Sequence, residues 1–393
     1  MAKQFPLDRG EANRALTFLC FRVANEVEAG NTELAHELRE AAELANSSAA
    51  VAGSAGRSPL LAKVVAALHK AWPLISPNEF DDKIPLTNAI SRLVSLDSCK
   101  FGIVTALPKE FAAMRVLLED ARESLFVNDP NDYVVGTIPA RDGTGLHTVV
   151  LTLLKSSRNN SAASAVTHLV RSVPSVTEIL MVGIAGGIPN PQKVNDHVRL
   201  GDVVITDKEG ILQYDNLTIG VDSVVIRSCA TNPSPLLVGK ANLLTADSYE
   251  GKRPWLKYIA RAQKLLPHSD RPAADRDKLA LWASCEPESI EHPQDPTRMP
   301  DEPKIHLGRI GASNALLKSP QIRDLLKNHK VLAVEMEGSG IADGSWISSR
   351  EYLVARGICD YCDPSKGDDW QAYAAIAAAA YVRSLIESVP VKG

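Results

Sequence analysis

Over residues 1–97, apolar side chains recur at every third or fourth position: in 15–19 with 23–27, in 34–44, in 60–72 and in 87–94. That spacing lines one side of a helical turn and predicts amphipathic helices. Residues 46–58, rich in Ser, Ala and Gly, predict a loop, and Pro73, Pro77 and Pro85 break the pattern further on. From Phe101 the texture changes. Short apolar runs at 101–107, 134–138, 147–154, 179–184, 202–206, 331–334 and 352–358 predict strands. Helical spacing fills 110–118, 161–171, 322–327, 339–346 and 370–386. Pro108 suits a helix start, because its ring presets the backbone angle and the missing N–H has no partner there. Strands alternating with helices predict an α/β sheet with covered faces. Residues 216–303 interrupt the rhythm with proline and charge, apart from a helical patch at 254–265, and predict an insertion or an elaborated loop. The expected organisation is a helical accessory module at 1–97 and an α/β domain at 98–393.

Composition narrows the function classes. A hydrophobic share of 45% with 23% charged residues is that of an ordinary globular protein, and 393 residues suffice for two domains. The formal net charge of -4 supplies no field that would draw in nucleic acid. No run of eighteen apolar residues is present and the Met1 end lacks a basic-then-apolar leader, so neither a membrane span nor export is expected. Six scattered cysteines (Cys20, Cys99, Cys229, Cys285, Cys359 and Cys362) point to reduced thiols and a cytoplasmic protein. Cys359 and Cys362 have CxxC spacing, but no second pair or histidine accompanies them, so no metal or redox centre is expected.

Four segments could carry chemistry. Met181 to Pro189 is a strand end running into the glycines Gly183, Gly186 and Gly187, where backbone N–H groups could approach a ligand or simply form a tight turn. Asp202, in Arg199-Leu200-Gly201-Asp202, reads as a turn cap. Val334-Glu335-Met336-Glu337 and Arg356-Gly357-Ile358-Cys359-Asp360 each set carboxylates against an apolar strand. An aspartate acting as an acid near neutral pH needs a raised pKa, which an apolar strand end can supply by desolvation. Each carboxylate has a structural alternative: Asp360 as a turn or cap residue, Glu337 as the cap of the helix at 339–346, and Glu110 as a first-turn carboxylate favoured by the helix dipole. Glu335 should face away from Glu337 and serve the structure.

In order, Gly102 to Glu110, Val182 to Gly187, Arg199 to Asp202, Gly308 to Ser313, Val334 to Glu337 and Arg356 to Asp360 resemble motifs of the purine nucleoside phosphorylase and nucleosidase superfamily. That group includes methylthioadenosine/S-adenosylhomocysteine nucleosidases and AMP nucleosidase. The tail around Trp370, Gln371 and Tyr373 is similar to that of a bacterial and fungal branch in which this domain sits beside signalling or effector modules. The resemblance spans about 100–388 and leaves the N-terminal region outside. It implies a twisted mixed central sheet, partly barrel-like and flanked by helices, in a homo-oligomer. It places Asp360 where a proton is given to purine N7, Glu337 on the ribose hydroxyls with Met336 beneath the sugar, and Glu110 where water is activated. Ile184, Ala185 and Gly186 fall at the sugar–base junction.

A carboxylate at Glu110 favours water over phosphate as the nucleophile. In many relatives the turn matching 155–160 bears glycine; here it carries Lys155 and Arg158. These cations, joined by Arg309 and Lys366, either grip phosphates of a nucleotide or are solvated surface charge. The expected activity is hydrolysis of the adenine–ribose bond of ATP or a related nucleotide, in a nucleotide-depleting effector of anti-phage defence whose N-terminal module meets a signalling partner. Mg²⁺ is expected only with the nucleotide, and no other cofactor. The alternatives are a methylthioadenosine-type nucleosidase, a phosphate-dependent salvage phosphorylase, and a nucleotide sensor without turnover.

Overall fold

The computed structural model describes residues 30–48, 96, 99–126, 129–220, 224–227, 232–282, 287–364 and 367–391, with Thr17, Cys20, Phe21, Ala24, Asn25 and Glu28. The chain divides into two compact units. One comprises residues 1–100, 125–129 and 171–175; the other holds the rest.

In the first unit, α1 (Thr32–Ser48) buries Leu34, Ala35, Leu38, Ala41 and Ala42, a stripe at helical spacing. Asn31 caps it by accepting from the Leu34 N–H at 3.0 Å. The helix runs to Ser48, past the loop start expected at residue 46. The helices expected at 60–72 and 87–94, and the three prolines between them, lie outside the described residues.

The second unit is a mixed α/β structure. In chain order it runs β1 (Phe101–Thr105), α2 (Pro108–Arg115), β2 (Glu119–Ser124), β3 (Tyr133–Pro139), β4 (Leu146–Leu153), α3 (Asn159–Ser172), β5 (Glu178–Gly187) and β6 (Val203–Gln213). Next come β7 (Leu217–Ile219), β8 (Val224–Ile226), α4 (Pro235–Tyr249), α5 (Trp255–Leu265), β9 (Leu279–Leu281) and β10 (Glu288–Ile290). The chain then returns to the main sheet with β11 (Ile305–Ala312), α6 (Pro320–Leu326), β12 (Val331–Glu335), α7 (Gly338–Ile347), β13 (Glu351–Asp360) and α8 (Gln371–Glu387). Nine strands form one sheet in the order β12-β11-β6-β13-β5-β1-β4-β3-β2. β12 also pairs antiparallel with β5, Ala333 opposite Gly187 and Val334 opposite Gly186, so one end of the sheet curls into a closed barrel. β5 therefore has β1, β13 and β12 as partners.

The expected strands at 134–138, 147–154, 331–334 and 352–358 appear as β3, β4, β12 and β13. β2 was not expected. Its sequence, EDARES, is mostly exposed and polar, so an edge strand there leaves no hydrophobic alternation. The expected helix at 110–118 stops at Arg115, and Leu117 and Leu118 are buried in the turn into β2. Among the described residues, the interrupting segment at 216–303 holds two α-helices, a 3-10 turn and two small hairpins. From it, α5 packs on α8, with Trp255 against Tyr381 at a ring separation of 5.5 Å. Among the described residues no helix is long and apolar enough to cross a membrane.

α8 is buried continuously from Tyr373 to Glu387, which its alanine-rich sequence permits on every side. Arg383 within it donates to the Leu117 carbonyl at 2.7 Å and Glu119 at 2.8 Å, and it meets Glu387 at 3.4 Å. Replacing Arg383 by Met leaves the buried Glu387 without this cation and should cost about 3–5 kcal/mol in urea denaturation. Leu243→Ala on the exposed side of α4 should stay within about 0.5 kcal/mol of the parent.

Candidate active site

Strand ends and turns of the barrel build the site. β12 finishes at Glu335, whose carboxylate accepts from the backbone N–H groups of Glu337 and Gly338 at 2.9 Å. Glu335 thus caps α7, a role that the sequence offered to Glu337. Glu337, the N-cap residue, makes no capping bond with its own side chain. It accepts instead from the Arg158 backbone N–H at 3.1 Å and from Arg356 Nη2 at 3.1 Å.

Arg356 is the centre of the cluster. It rises from β13, is 1% exposed, and donates through Nη2 to both Glu335 and Glu337. Its Nη1 lies 3.9 Å from Glu110 Oε1 and 3.4 Å from the Ile184 carbonyl. Space for it comes from Gly183, where a Cβ would lie 2.4 Å from both Arg356 Nη1 and Glu110 Oε1.

Glu110 stands in the first turn of α2. One oxygen accepts from the N–H groups of Ala106 and Leu107, both at 2.8 Å, and the other from Ile184 N–H at 2.8 Å. Glu110 thus stands as the expected first-turn carboxylate and closes a capping box, while the same carboxylate also faces a cavity.

Opposite this array, β13 ends at Asp360. Oδ1 accepts from the Cys362 N–H at 2.9 Å, and the Cys359 thiol donates to Oδ2 at 3.2 Å. In the strand pairing, Asp360 lies beside Gly186 and Arg356 beside Gly183. Roughly 13 Å of strand separates the two Cα positions on β13, room for a base and a sugar between the acidic groups.

The cavity between them has a volume of about 170 Å³. Glu110, Glu337, Asp360 and Met336 line it, with Ile184, Ala185 and Gly186. Seven of the nine residues expected at the site thus meet in one place. Lys155 and Arg158 do not line it: both side chains are exposed, and Ser157 between them reaches the wall. Arg158 contributes its backbone, held at φ 114°, a value that glycine adopts and side-chain-bearing residues rarely do. Arg309 is also absent from the wall, being paired with Glu209 at 2.7 Å. Lys366 lies outside the described residues. The sequence reading missed Arg356 as a functional residue. Its signal was a lone cation inside the apolar strand Tyr352 to Cys359, which must find carboxylates when buried. Tyr214, Leu316 and Leu317 in the wall carried no signal of their own.

Asp202 is structural, as its turn position suggested. It is fully buried and accepts two bonds from Arg298 at 2.7 and 2.6 Å, with His306 at 3.0 Å and the Arg199 N–H at 2.8 Å. Burial alone would raise its pKa, but the hydrogen bonds from Arg298 and His306 hold it below the usual carboxylate range. Among the described residues no group of three or more His, Cys, Asp or Glu is placed to hold a metal ion.

One guanidinium faces three carboxylates, so the cluster favours uptake of a proton. Burial pushes Glu337 up to about 7, opposed by Arg356 and reinforced by the charges of Glu335 and Glu110. Burial also raises Glu110, opposed by Arg356 and the three N–H donors. Between the ordinary glutamate value of 4.5 and about 7, folded Glu337 keeps a proton that the unfolded chain has released. Stability should therefore fall as pH rises through that window. At ~1.4 kcal/mol per unit, Glu337→Gln, neutral at every pH, should gain about 2–3 kcal/mol over the parent between about pH 5 and about pH 8 in urea denaturation.

A second test concerns packing. A Cβ on Gly186 would lie 2.1 Å from Cys362 Sγ and 2.8 Å from Asp360 Oδ1. Gly186→Ala should cost about 1–3 kcal/mol. Adding Cys362→Ala should recover part of that loss in a double-mutant cycle on thermal unfolding.

Comparison with known proteins bears on the fold and on the family. A fungal nucleotide-binding leucine-rich repeat (NLR)-like protein of Hyaloscypha variabilis is 29% identical over 72% of this chain, which spans only 29% of that relative's length. A 5′-methylthioadenosine/S-adenosylhomocysteine nucleosidase of Mycobacterium bovis is 24% identical over 74% of this chain and 96% of its own. Among solved structures, the Helicobacter pylori nucleosidase of that type with 5′-methylthioadenosine in its active site shares the fold. The TM-score is 0.50 at 15% identity, covering 74% of this chain and 99% of that one. The family model for the phosphorylase superfamily matches residues 100–387, and the chain belongs to that superfamily.

Proposed function

We propose that the protein is a purine N-ribosyl hydrolase that releases adenine from ATP or a related adenine nucleotide. The observation that carries this reading is the Glu110–Arg356–Glu337 array facing Asp360 across one cavity. The N9–C1′ bond breaks with its electron pair passing to the base, and Asp360 gives a proton to N7, making the base a better leaving group. Glu337 accepts from the ribose hydroxyls, and its charge and that of Glu110 stabilise the oxocarbenium ion that develops on the sugar. Glu110 takes a proton from the water that adds to C1′. Burial raises the pKa of Glu110, opposed by Arg356 and by the three backbone donors that fix its aim.

Water rather than phosphate is favoured as the nucleophile because no lysine or arginine is among the described residues lining the cavity. A phosphorylase needs cations there to fix the incoming oxyanion. In this reading the phosphates of a nucleotide extend outward past Ser157, toward the exposed Lys155 and Arg158. Relation to the NLR-like fungal protein supports a place as the nucleotide-depleting effector of a defence system. An uncharged 5′-thioether nucleoside is the second reading, favoured by Leu107, Leu316 and Leu317 in the wall and by the name of the mycobacterial relative.

Chromatography of the base released from ATP, AMP, methylthioadenosine and inosine, with and without phosphate, tests this. Adenine from ATP or AMP without phosphate is expected. Turnover of methylthioadenosine with none of either nucleotide moves the protein to the second reading, and strict phosphate dependence makes it a phosphorylase. Asp360→Asn should lower base release by roughly 10²-fold or more while ligand-induced thermal stabilisation persists. The parent showing that stabilisation without ever releasing base would make it a sensor. Arg158→Gly keeps the backbone N–H to Glu337 and removes only the cation. It should raise KM for ATP several-fold and leave any methylthioadenosine turnover unchanged.

A further inference from the structure

A second cavity, of about 340 Å³, shares no lining residue with the first. Three guanidinium groups border it, those of Arg199, Arg271 and Arg298. We propose that it binds a small phosphate-bearing anion. At the ordinary volume of liquid water the space equals roughly eleven molecules, enough for a phosphate and a further group.

Charge accounting around the wall supports this reading. Arg298 is matched by its two bonds to Asp202. Arg199 donates to the Pro293 carbonyl at 2.9 Å, and Arg271 reaches only the Tyr373 hydroxyl at 3.4 Å while lying over the Trp370 ring at 5.1 Å. Neither makes an ion pair among the described residues, and the Nε atoms of both are buried without an acceptor. Two of the four acidic groups of the wall are paired with cations outside it. Asp277 accepts from Tyr361 at 2.5 Å and faces His292 at 3.2 Å, Asp295 is held by Lys304 at 2.6 Å, and Glu302 meets Arg253 at 3.3 Å. Asp277 and Asp301, the latter exposed at the rim, are the two wall carboxylates without a lysine or arginine ion pair, and they face Arg199 and Arg271. Burial and then the neighbouring Arg298 charge lower the Arg199 pKa, opposed by the charges of Asp277, Tyr361 and Asp202. A phosphate supplies three acceptor oxygens in the geometry that guanidinium donors match.

The site also lies close in the chain to the catalytic residues. Tyr361, bonded to Asp277, follows Asp360, and Gln371, next to the Trp370 beneath Arg271, lines the catalytic cavity.

Isothermal titration of the full chain with inorganic phosphate and with pyrophosphate, at constant ionic strength, tests the proposal without any turnover. Saturable binding is expected, weakened roughly ten-fold or more by Arg199→Gln and by Arg271→Gln. Asp301→Asn, an exposed change that removes an opposing charge, should tighten it several-fold. Arg158→Gly should leave it unchanged. Absence of saturable binding of both anions overturns the proposal. So does binding that Arg158→Gly weakens and Arg271→Gln spares, which would place the anion at the catalytic cavity. Should the arginine variants not fold, unchanged affinity in Asp301→Asn overturns it as well.

Discussion

The buried guanidinium of Arg356 is the constraint on which the candidate site depends. A cation taken wholly out of water needs counter-charge close by, and the surrounding backbone supplies carboxylates from three separate places: α2, the end of β12 and the turn into α7. Each is fixed on its other side by backbone N–H groups. The cluster is therefore rigid without help from a ligand, and its geometry precedes binding. Burial, reinforced by the excess of carboxylates over cations, raises the pKa of Glu337.

Division of labour between Glu335 and Glu337 follows from the same place. Two residues apart at a strand end, both meet Arg356 and the cavity, so Glu335 does not face away as expected; only Glu335 also satisfies the first N–H groups of α7. Because Glu335 holds the helix start, Glu337 is released from capping. Glu110 has no such relief and caps α2 while facing the cavity. A carboxylate bound by three N–H donors moves little, so its position in the cavity wall is fixed before any ligand enters.

Much of this was legible in the chain. Strand periodicity marked β1, β3, β4, β5, β12 and β13, because their faces are buried in a simple pattern. Seven site residues were read through short motifs at strand ends. The remainder depended on facts that spacing does not carry. The polar edge strand β2 has no alternation to detect. The partners of Arg356 lie 21, 19 and 246 residues away in sequence, so its role as a hub follows only from the fold. Lys155 and Arg158 looked like cavity cations because they sit in the turn that Ser157 occupies. The turn instead sends their side chains outward and uses the Arg158 N–H. Arg309 was lost to a local partner, Glu209, that sequence distance had hidden.

The closure of β12 against β5 also has a consequence for the chain during synthesis. The floor of the cavity, Ile184 to Gly186, is complete early, but the strands that flank it on both sides arrive last, with residues 331–335 and 351–360. Until the ribosome has released β13, Arg356 and Asp360 are missing and Glu110 faces no cation. Contacts this distant in sequence form late in folding. A nascent or truncated chain thus lacks part of the candidate site, which is complete only when the whole domain has closed.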